Sequence, residues 1–269
     1  MDYSKLLTDV RKISFNAGKI LLKYQKNLDE LYFKDKGASN IVSQADLDSD
    51  NFITKQLNKF YPEIKIYSEE SKFSNNEQKS EYMFVIDPLD GSNYFSMDLP
   101  LYSVVISLLK NGKPVFTSVY IPAMGKHIYA IKGKGVFVNG KKINRVEFSN
   151  KQGKMIVAEN NGYDVVRESI GLIRNLTGNV KRIITNWAPS IDYALIAGKK
   201  IDAIVSMNTE VEDSVGGFLI CKELGYIIKR FDGSDYEPNF KNGFEYTLDK
   251  FIVAPTLADF EFIQRLLKG

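Results

Sequence analysis

Apolar positions along the chain change their spacing twice. Residues 3–26 and Asp48–Phe60 carry apolar residues every three or four positions, which predicts two amphipathic helices. From Leu101 to Ile131, short alternating runs are separated by turn signals such as Asn111-Gly112, which predicts an antiparallel meander. After about residue 150, strand-like and helix-like segments alternate, which is typical of α/β structure. The pattern therefore predicts a mixed α/β (α+β) fold.

This change of rhythm also divides the chain. We predict an N-terminal α+β half, residues 1–150, with the long helices and the meander, and a C-terminal α/β half, residues 151–269. The segment Tyr32–Asn40 is polar and contains a glycine, so we interpret it as a mobile loop that could cover a site as a lid.

The stretch from Glu81 to Phe95 contains the largest group of candidate site residues. It reads E-Y-M-F-V-I-D-P-L-D-G-S-N-Y-F, in which the apolar run 83–86 predicts a buried strand that ends at Asp87. Asp90 follows three residues later, and Gly91 would let the backbone N–H groups of a tight turn point at one spot. Such a turn can hold cations and a phosphate together.

A second predicted strand, Ile64–Tyr67, also leads into acidic residues, here Glu69 and Glu70. If the two strands are neighbours, their carboxylates meet at one sheet edge, where like charges repel and a divalent cation relieves the repulsion. Asp213 lies at the start of a predicted helix, where it is either a simple cap or a further ligand.

The acids form a set of hard oxygen ligands that suits Mg²⁺ or Mn²⁺ rather than zinc. His127 is the only histidine and Cys221 the only cysteine; we interpret both as structural residues. Two such ions clamp a phosphoryl group and activate a water for attack, so the predicted reaction is phosphate ester hydrolysis. Aspartyl-phosphate hydrolases of the haloacid dehalogenase type need two aspartates two residues apart, but Pro88 stands at that spacing from Asp90.

Composition excludes several classes of partner. The 269 residues are 44% hydrophobic and 26% charged, with a net charge of +3 and no basic block that predicts nucleic-acid binding. No run approaches the roughly 20 apolar residues that span a bilayer, and the N-terminal residues lack a signal-peptide pattern. With a single cysteine, we expect a cytoplasmic protein with no membrane or nucleic-acid partner.

Four segments resemble the signatures of one family. D-P-L-D-G-S-N-Y-F is similar to the D-P-x-D-G-[TS]-x-N-F signature of the inositol monophosphatase family of lithium-sensitive, Mg²⁺-dependent phosphatases. S-E-E-S, I-V-S-Q-A-D and V-E-D-S-V-G-G resemble its G-E-E-S, [LV]-V-T-x-x-D and W-D-x-A-G-G segments, in the family's order. The resemblance covers nearly the whole chain and implies a layered αβαβα sandwich, a homodimer and a small-molecule phosphate ester as substrate.

The resemblance also implies a ligand set for two or three Mg²⁺ ions. Glu69, Asp87 and the Leu89 carbonyl would bind the first ion, Asp87, Asp90 and Asp213 the second, and Glu69 would face a third, weaker one. Mn²⁺ could substitute.

The implied catalytic residues are Glu69, Ser92 and Asp46. Glu69 would orient the nucleophilic water, and Ser92, hydrogen-bonded to Asp46, would help to activate it. Asp90, Gly91 and Ser92 would also contact the phosphate or the substrate.

Substrate choice departs from the family pattern. Trp187-Ala188-Pro189-Ser190 stands where inositol-specific members carry Gly-Thr-Ala-Ala, and Ser206 stands where they carry a glutamate. We therefore expect hydrolysis of inositol 1-phosphate or a related sugar phosphate, with Trp187 and Ser206 in the substrate pocket. The alternatives are fructose 1,6-bisphosphate hydrolysis or dual activity, then adenosine 3′,5′-bisphosphate hydrolysis or an inactive binding homologue.

Overall fold

In the computed structural model, the described residues are 1–28, 31, 33–37, 40–73, 80–144, 153–161, 166–207, 211–238 and 250–268. At some positions within these ranges, including Asp213, only the backbone is described. No helix in the described part of the chain has both the length and the apolar character that crossing a membrane requires.

The predicted alternation of helices and strands is confirmed over most of the chain. The described helices are α1 (Tyr3–Gln25), α2 (Gln44–Phe60), α3 (Ser92–Ser96), α4 (Val166–Leu176), α5 (Pro189–Ala197), α6 (Val211–Leu224) and α7 (Leu257–Lys268). The strands are β1 (Phe33–Gly37), β2 (Asn40–Ser43), β3 (Lys65–Ser68), β4 (Lys72–Phe73), β5 (Tyr82–Asp90), β6 (Ser103–Lys110), β7 (Lys113–Ile121), β8 (Lys126–Ile131), β9 (Gly135–Val138), β10 (Lys141–Ile143), β11 (Ile156–Asn161), β12 (Arg182–Asn186), β13 (Ala203–Met207), β14 (Ile227–Arg230) and β15 (Lys250–Ala254).

The larger sheet has eight strands in the order β10-β9-β8-β7-β6-β5-β3-β4. Its meander from β5 to β10 is antiparallel, as the hairpin signals predict, whereas β3 and β5 run parallel with Ser68 opposite Ile86. Alternate residues of β6 face opposite sides, so Val104 packs toward α1 and α2 while Val105 packs toward α5 and α6.

The smaller sheet has five strands in the order β12-β11-β13-β15-β14, with parallel and antiparallel pairs. One of its faces packs with α4 and α7. Its other face shares a core with α5, α6 and the larger sheet. The layers therefore run helix, sheet, helix, sheet, helix, which confirms the predicted αβαβα sandwich.

The segment that we expected to be a mobile loop, Tyr32–Asn40, is mostly a hairpin. Strands β1 and β2 pair antiparallel, with Phe33 opposite Ser43. Positions 32, 38 and 39 lie outside the described residues. The expectation was wrong because β1 and β2 are paired through their backbone hydrogen bonds. Such pairing does not require alternating apolar side chains, so the polar sequence showed no sign of the strands.

Two element boundaries also differ from the predicted ones. Helix α2 begins at Gln44, four residues earlier than expected, because Ser43 and Asp46 form a reciprocal capping box at its N-terminus. Strand β5 continues past Asp87 to Asp90, because it pairs with β6 as far as Ser103 across a register shift.

His127 and Cys221 are buried, as expected of structural residues. The Nε2 atom of His127 lies 2.9 Å from the Ser118 hydroxyl. Burial, assisted by repulsion from Arg11, lowers the pKa of His127 to about 4, so the imidazole is neutral at pH 7. Burial raises the pKa of the Cys221 thiol, which keeps it protonated and unreactive.

Candidate active site

The acidic ends of two parallel strands lie side by side. Glu69 directly follows the last residue of β3. Because β3 and β5 are paired neighbours, the N–H of Glu69 donates to the carbonyl of Ile86 at 3.1 Å. Asp87 is the next residue of β5. The predicted meeting of the two acidic segments at one edge is therefore confirmed.

A compact turn at the end of β5 fixes Asp87 and Leu89. Asp87 is buried, and its Oδ1 accepts a hydrogen bond from the N–H of Leu89 at 2.9 Å. The Leu89 carbonyl accepts one from the Ser92 hydroxyl at 3.3 Å. The Ser49 hydroxyl of α2 donates to the carbonyl of Pro88 at 3.0 Å, which ties the turn to α2.

Asp90 is held by the N-terminus of α5. Its Oδ2 accepts hydrogen bonds from the Ser190 N–H, at 2.9 Å, and from the Ser190 hydroxyl. The Ser190 and Ser103 hydroxyls lie 2.8 Å apart. Burial raises the pKa of Asp90 to about 7, and the nearby charge of Glu69 adds to the rise while the Ser190 hydrogen bonds oppose it. The carboxylate is thus costly to ionise without a cation.

Gly91 makes the turn from β5 into α3 possible. Its φ is +90°, and a Cβ built there would lie 2.6 Å from the Leu101 carbonyl oxygen and 3.0 Å from the Cβ of Ala188. Both the backbone conformation and the close neighbours exclude a side chain. This confirms the tight turn that the sequence predicts.

Asp46 is a second buried carboxylate with a raised pKa. Its Oδ2 accepts hydrogen bonds from the N–H and the hydroxyl of Ser43, at 2.8 and 2.6 Å. Burial raises its pKa to about 7, the two hydrogen bonds oppose the rise, and the charges of Glu70 and Glu69 add to it. Ser92 and Asp46 are both described, and the expected hydrogen bond between them is not formed. The Ser92 hydroxyl donates instead to the Leu89 carbonyl.

Trp187 and Ser206 differ in their access to solvent. The Trp187 side chain is 53% exposed and its ring lies 6.0 Å from that of Tyr94, which follows the β5 turn closely in sequence. The Trp187 N–H donates to the Tyr94 hydroxyl at 3.4 Å. Trp187 therefore borders the acidic corner, the name we give to the strand ends that carry Glu69, Asp87 and Asp90. Ser206 is fully buried in β13. Asp213 lies in the first turn of α6, but its side chain is outside the described residues.

Two residues of the site were not predicted from the sequence. Ser190 and Ser103 form the hydrogen-bonded support of Asp90, yet they come from α5 and β6. The only local signal was the serine directly after Pro189, at the start of a predicted helix, where N–H groups are free to bind an anion. Nothing in the sequence pointed to the carboxylate that it binds.

The donor set suits a hard divalent cation. The corner offers the carboxylates of Glu69, Asp87 and Asp90 and the Leu89 carbonyl, all oxygen donors without histidine or cysteine. Burial, with the nearby charge of Glu69 adding to it, raises the pKa values of Asp46 and Asp90, and a bound cation would favour their ionised forms. Among the described side chains, which exclude that of Asp213, no three acids lie close enough together to form a complete metal cage.

A model of the inositol monophosphatase family matches residues 2–266. The chain belongs to this family. The family that the sequence resembles is therefore confirmed.

Relatives in this family have different names. The chain is 28% identical over 229 residues to the Nus factor SuhB of Xylella fastidiosa, which covers 83% of this chain and 81% of the relative. It is 26% identical over 231 residues to the fructose-1,6-bisphosphatase/inositol-1-monophosphatase of Thermotoga maritima, which covers 86% and 87%. The crystal structure of the extragenic suppressor protein suhB of Bartonella henselae is similar in fold, with a TM-score of 0.87 at 24% identity and coverage of 98% and 99%.

Proposed function

We propose that this protein is a Mg²⁺-dependent phosphomonoesterase that hydrolyses inositol 1-phosphate or a related sugar phosphate. Membership of the inositol monophosphatase family supports a phosphatase. The single observation that carries the proposal is the pair of buried carboxylates, Asp46 and Asp90, whose pKa values are raised to about 7 beside Glu69. Carboxyl groups whose pKa values are strongly raised by burial beside another charge cluster at functional sites.

We assign the metal ligands as the resemblance implies. Glu69, Asp87 and the Leu89 carbonyl would hold one ion; Asp87, Asp90 and Asp213 a second; and Glu69 would face a third, with Mn²⁺ as a substitute for Mg²⁺. When bound, these ions would lower the pKa of a coordinated water and neutralise charge on the phosphoryl oxygens. The rigid turn from Asp87 to Ser92 supports this assignment, because it fixes the donors before any ion binds.

The chain's own groups orient the reactants. Glu69 would accept a hydrogen bond from the attacking water, with Ser92 and Asp46 helping to position it. The N–H groups at Gly91 and Ser92 would bind phosphate oxygens, since the positive φ of Gly91 turns the backbone at this point. Asp90 would contact the ester as well as the second ion.

We assign different places at the substrate pocket to Trp187 and Ser206. We place Trp187 at the substrate pocket because it is exposed at the border of the acidic corner. Ser206 is buried in β13, so we assign it to the wall behind the pocket and not to its surface. The Thermotoga maritima relative, named for both fructose 1,6-bisphosphate and inositol phosphate hydrolysis, makes dual activity the leading alternative.

We also propose a homodimer that uses the apolar surface next to the site. Met97 and Leu99 are 53% and 40% exposed. They lie beside Tyr94, whose carbonyl accepts a hydrogen bond from the N–H of Leu99 at 2.9 Å. Burying such a patch in a second copy removes apolar surface from water.

The proposed organisation has two further parts. Residues 1–150 would supply most of the metal ligands, and residues 151–269 would supply Asp213 and the substrate pocket. We propose a cytoplasmic location, which the single buried thiol of Cys221 supports, since a reducing compartment requires no disulfide.

Phosphate release from a panel of esters tests the function. The panel contains inositol 1-phosphate, fructose 1,6-bisphosphate, adenosine 3′,5′-bisphosphate and an aryl phosphate, each with Mg²⁺, with EDTA, and with Mg²⁺ plus lithium. We expect Mg²⁺-dependent, lithium-inhibited release that Asp90→Asn abolishes. Equal release in EDTA would refute metal dependence.

A second candidate is a binding protein without catalytic activity, which the name Nus factor of the Xylella fastidiosa relative favours. Folded protein that releases no phosphate from any ester and shows no heat of Mg²⁺ binding in calorimetry would support this role in place of the phosphatase.

A further inference from the structure

Helix α6 lies unusually close to α5 at one position. A Cβ built on Gly217 would lie only 2.0–2.2 Å from the Cδ2, Cε2 and Cγ atoms of Tyr193. The Tyr193 ring, which is 1% exposed, therefore occupies the space of the missing side chain. Any larger residue at position 217 would force the two helices apart, because neither a fully buried ring nor helix backbone can yield by so much.

The adjacent glycine also brings α6 close to the larger sheet. A Cβ on Gly216 would lie 2.5 Å from Thr117 Oγ1 and 3.0 Å from Ser107 Oγ. These two hydroxyls are fully buried and lie 3.0 Å apart on neighbouring strands. Gly216 and Gly217 thus fix α6 against the sheet on one side and against α5 on the other.

The same helix α5 also holds Asp90. Ser190 and Tyr193 are three residues apart, so they lie on one face of α5, one turn from each other. Ser190 binds the Asp90 carboxylate through its N–H and its hydroxyl, and Tyr193 contacts α6 at Gly217. The first turn of α6 carries Asp213.

We infer that α5 fixes the position of α6 relative to Asp90, and that Tyr193 is the positioning residue on α5. Tyr193 is not assigned to the metal or the substrate; it acts by fixing, through Gly217, where the first turn of α6 lies. The inference rests on the proposed function, because it assigns Asp90 and Asp213 to the same ion.

A size exchange between the two contacting residues tests the inference. Gly217→Ala adds a methyl group inside the Tyr193 ring, and Tyr193→Leu removes the ring. We expect each single variant to weaken Mg²⁺ binding in calorimetry by about 10–100-fold, the range found when residues behind metal ligands are changed. The double variant Gly217→Ala/Tyr193→Leu should regain most of this loss, since the smaller leucine accommodates the methyl group.

Gly171→Ala is the matched control. Gly171 is also a helical glycine, in α4, and a Cβ there meets no atom within 4 Å. This variant should bind Mg²⁺ as the wild type does. Tyr193→Phe should do so too, because the ring and not the hydroxyl makes the contact with Gly217.

Kinetics separate positioning from general destabilisation. We expect the single variants to lose kcat at saturating Mg²⁺ while KM for the ester changes little. Variants that melt at lower temperature yet keep wild-type Mg²⁺ affinity and kcat would overturn the inference and leave the proposed function intact. If Gly217→Ala does not fold, Tyr193→Leu alone decides. A wild-type protein that neither binds Mg²⁺ nor hydrolyses an ester would overturn both.

Discussion

Asp90→Asn should stabilise the metal-free protein at high pH. The buried carboxyl has a pKa of about 7 against an ordinary value of 3.8. One pKa unit corresponds to about 1.4 kcal/mol, so ionised Asp90 destabilises the fold by about 4 kcal/mol. The asparagine side chain carries no charge, but burying its NH₂ group without a hydrogen-bond acceptor costs about 1–2 kcal/mol. The expected net gain above pH 7 is therefore about 2–3 kcal/mol.

The gain should disappear in acid. Between pH 3.8 and 7 the folded protein keeps a proton on Asp90 that the unfolded chain has released, so wild-type stability falls as the pH rises through this range. Above pH 7 both states are ionised and the difference is constant. The variant should therefore be less stable than the wild type near pH 4, equal near pH 5 and more stable at pH 8.

Urea unfolding in EDTA at several pH values between 4 and 8, followed by circular dichroism, measures the difference. Asp98→Asn serves as a control, because it makes the same chemical change at an exposed aspartate. Adding Mg²⁺ at about 100 times its dissociation constant should stabilise the wild type by about 2.7 kcal/mol and the variant by much less. A variant that matches the wild type at pH 8 in EDTA would refute the assigned cause.

Three further predictions follow from buried or exposed groups. Because the pKa of His127 lies at about 4 in the fold, His127→Gln should gain about 3 kcal/mol relative to the wild type as the pH falls from 7 to 4; a constant difference in urea unfolding would contradict the burial of a neutral ring. Gly91→Ala should lower kcat at least about 10-fold and destabilise the protein by about 1–3 kcal/mol, whereas Gly125→Ala, with positive φ but no close neighbour, should lose only about 1 kcal/mol and no activity. Leu99→Glu should shift the protein from dimer to monomer in sedimentation without loss of fold, and an unchanged sedimentation coefficient would exclude this surface.

The parts of the fold that depend on local periodicity could be predicted from the sequence. The long helix α1, the meander and the α/β alternation after residue 150 all follow from apolar spacing and turn residues. The meeting of Glu69 with Asp87 followed from a simple assumption, that two successive strands are neighbours in the sheet. The β1–β2 hairpin was missed because its pairing leaves no apolar pattern in the segment.

The contacts that complete the site could not be predicted, because they join distant parts of the chain. Ser190 lies 100 residues from the carboxylate that it binds. The sequence shows a glycine at position 217, but nothing in it indicates that the Tyr193 ring fills the space beside that glycine. Local preferences set the elements, whereas the layer order decides which element ends come together.

The separation of Asp90 from Ser190 has a consequence during synthesis. At about 5–20 residues per second, the ribosome needs roughly 5–20 s to add the intervening segment. In that interval strands β6–β10 are made before α5 and α6, the helices that cover one apolar face of the larger sheet, and Asp90 still lacks its supporting serine. The unfinished chain therefore presents both a hydrophobic surface and an unsupported acid, which is the state that molecular chaperones recognise and proteases attack.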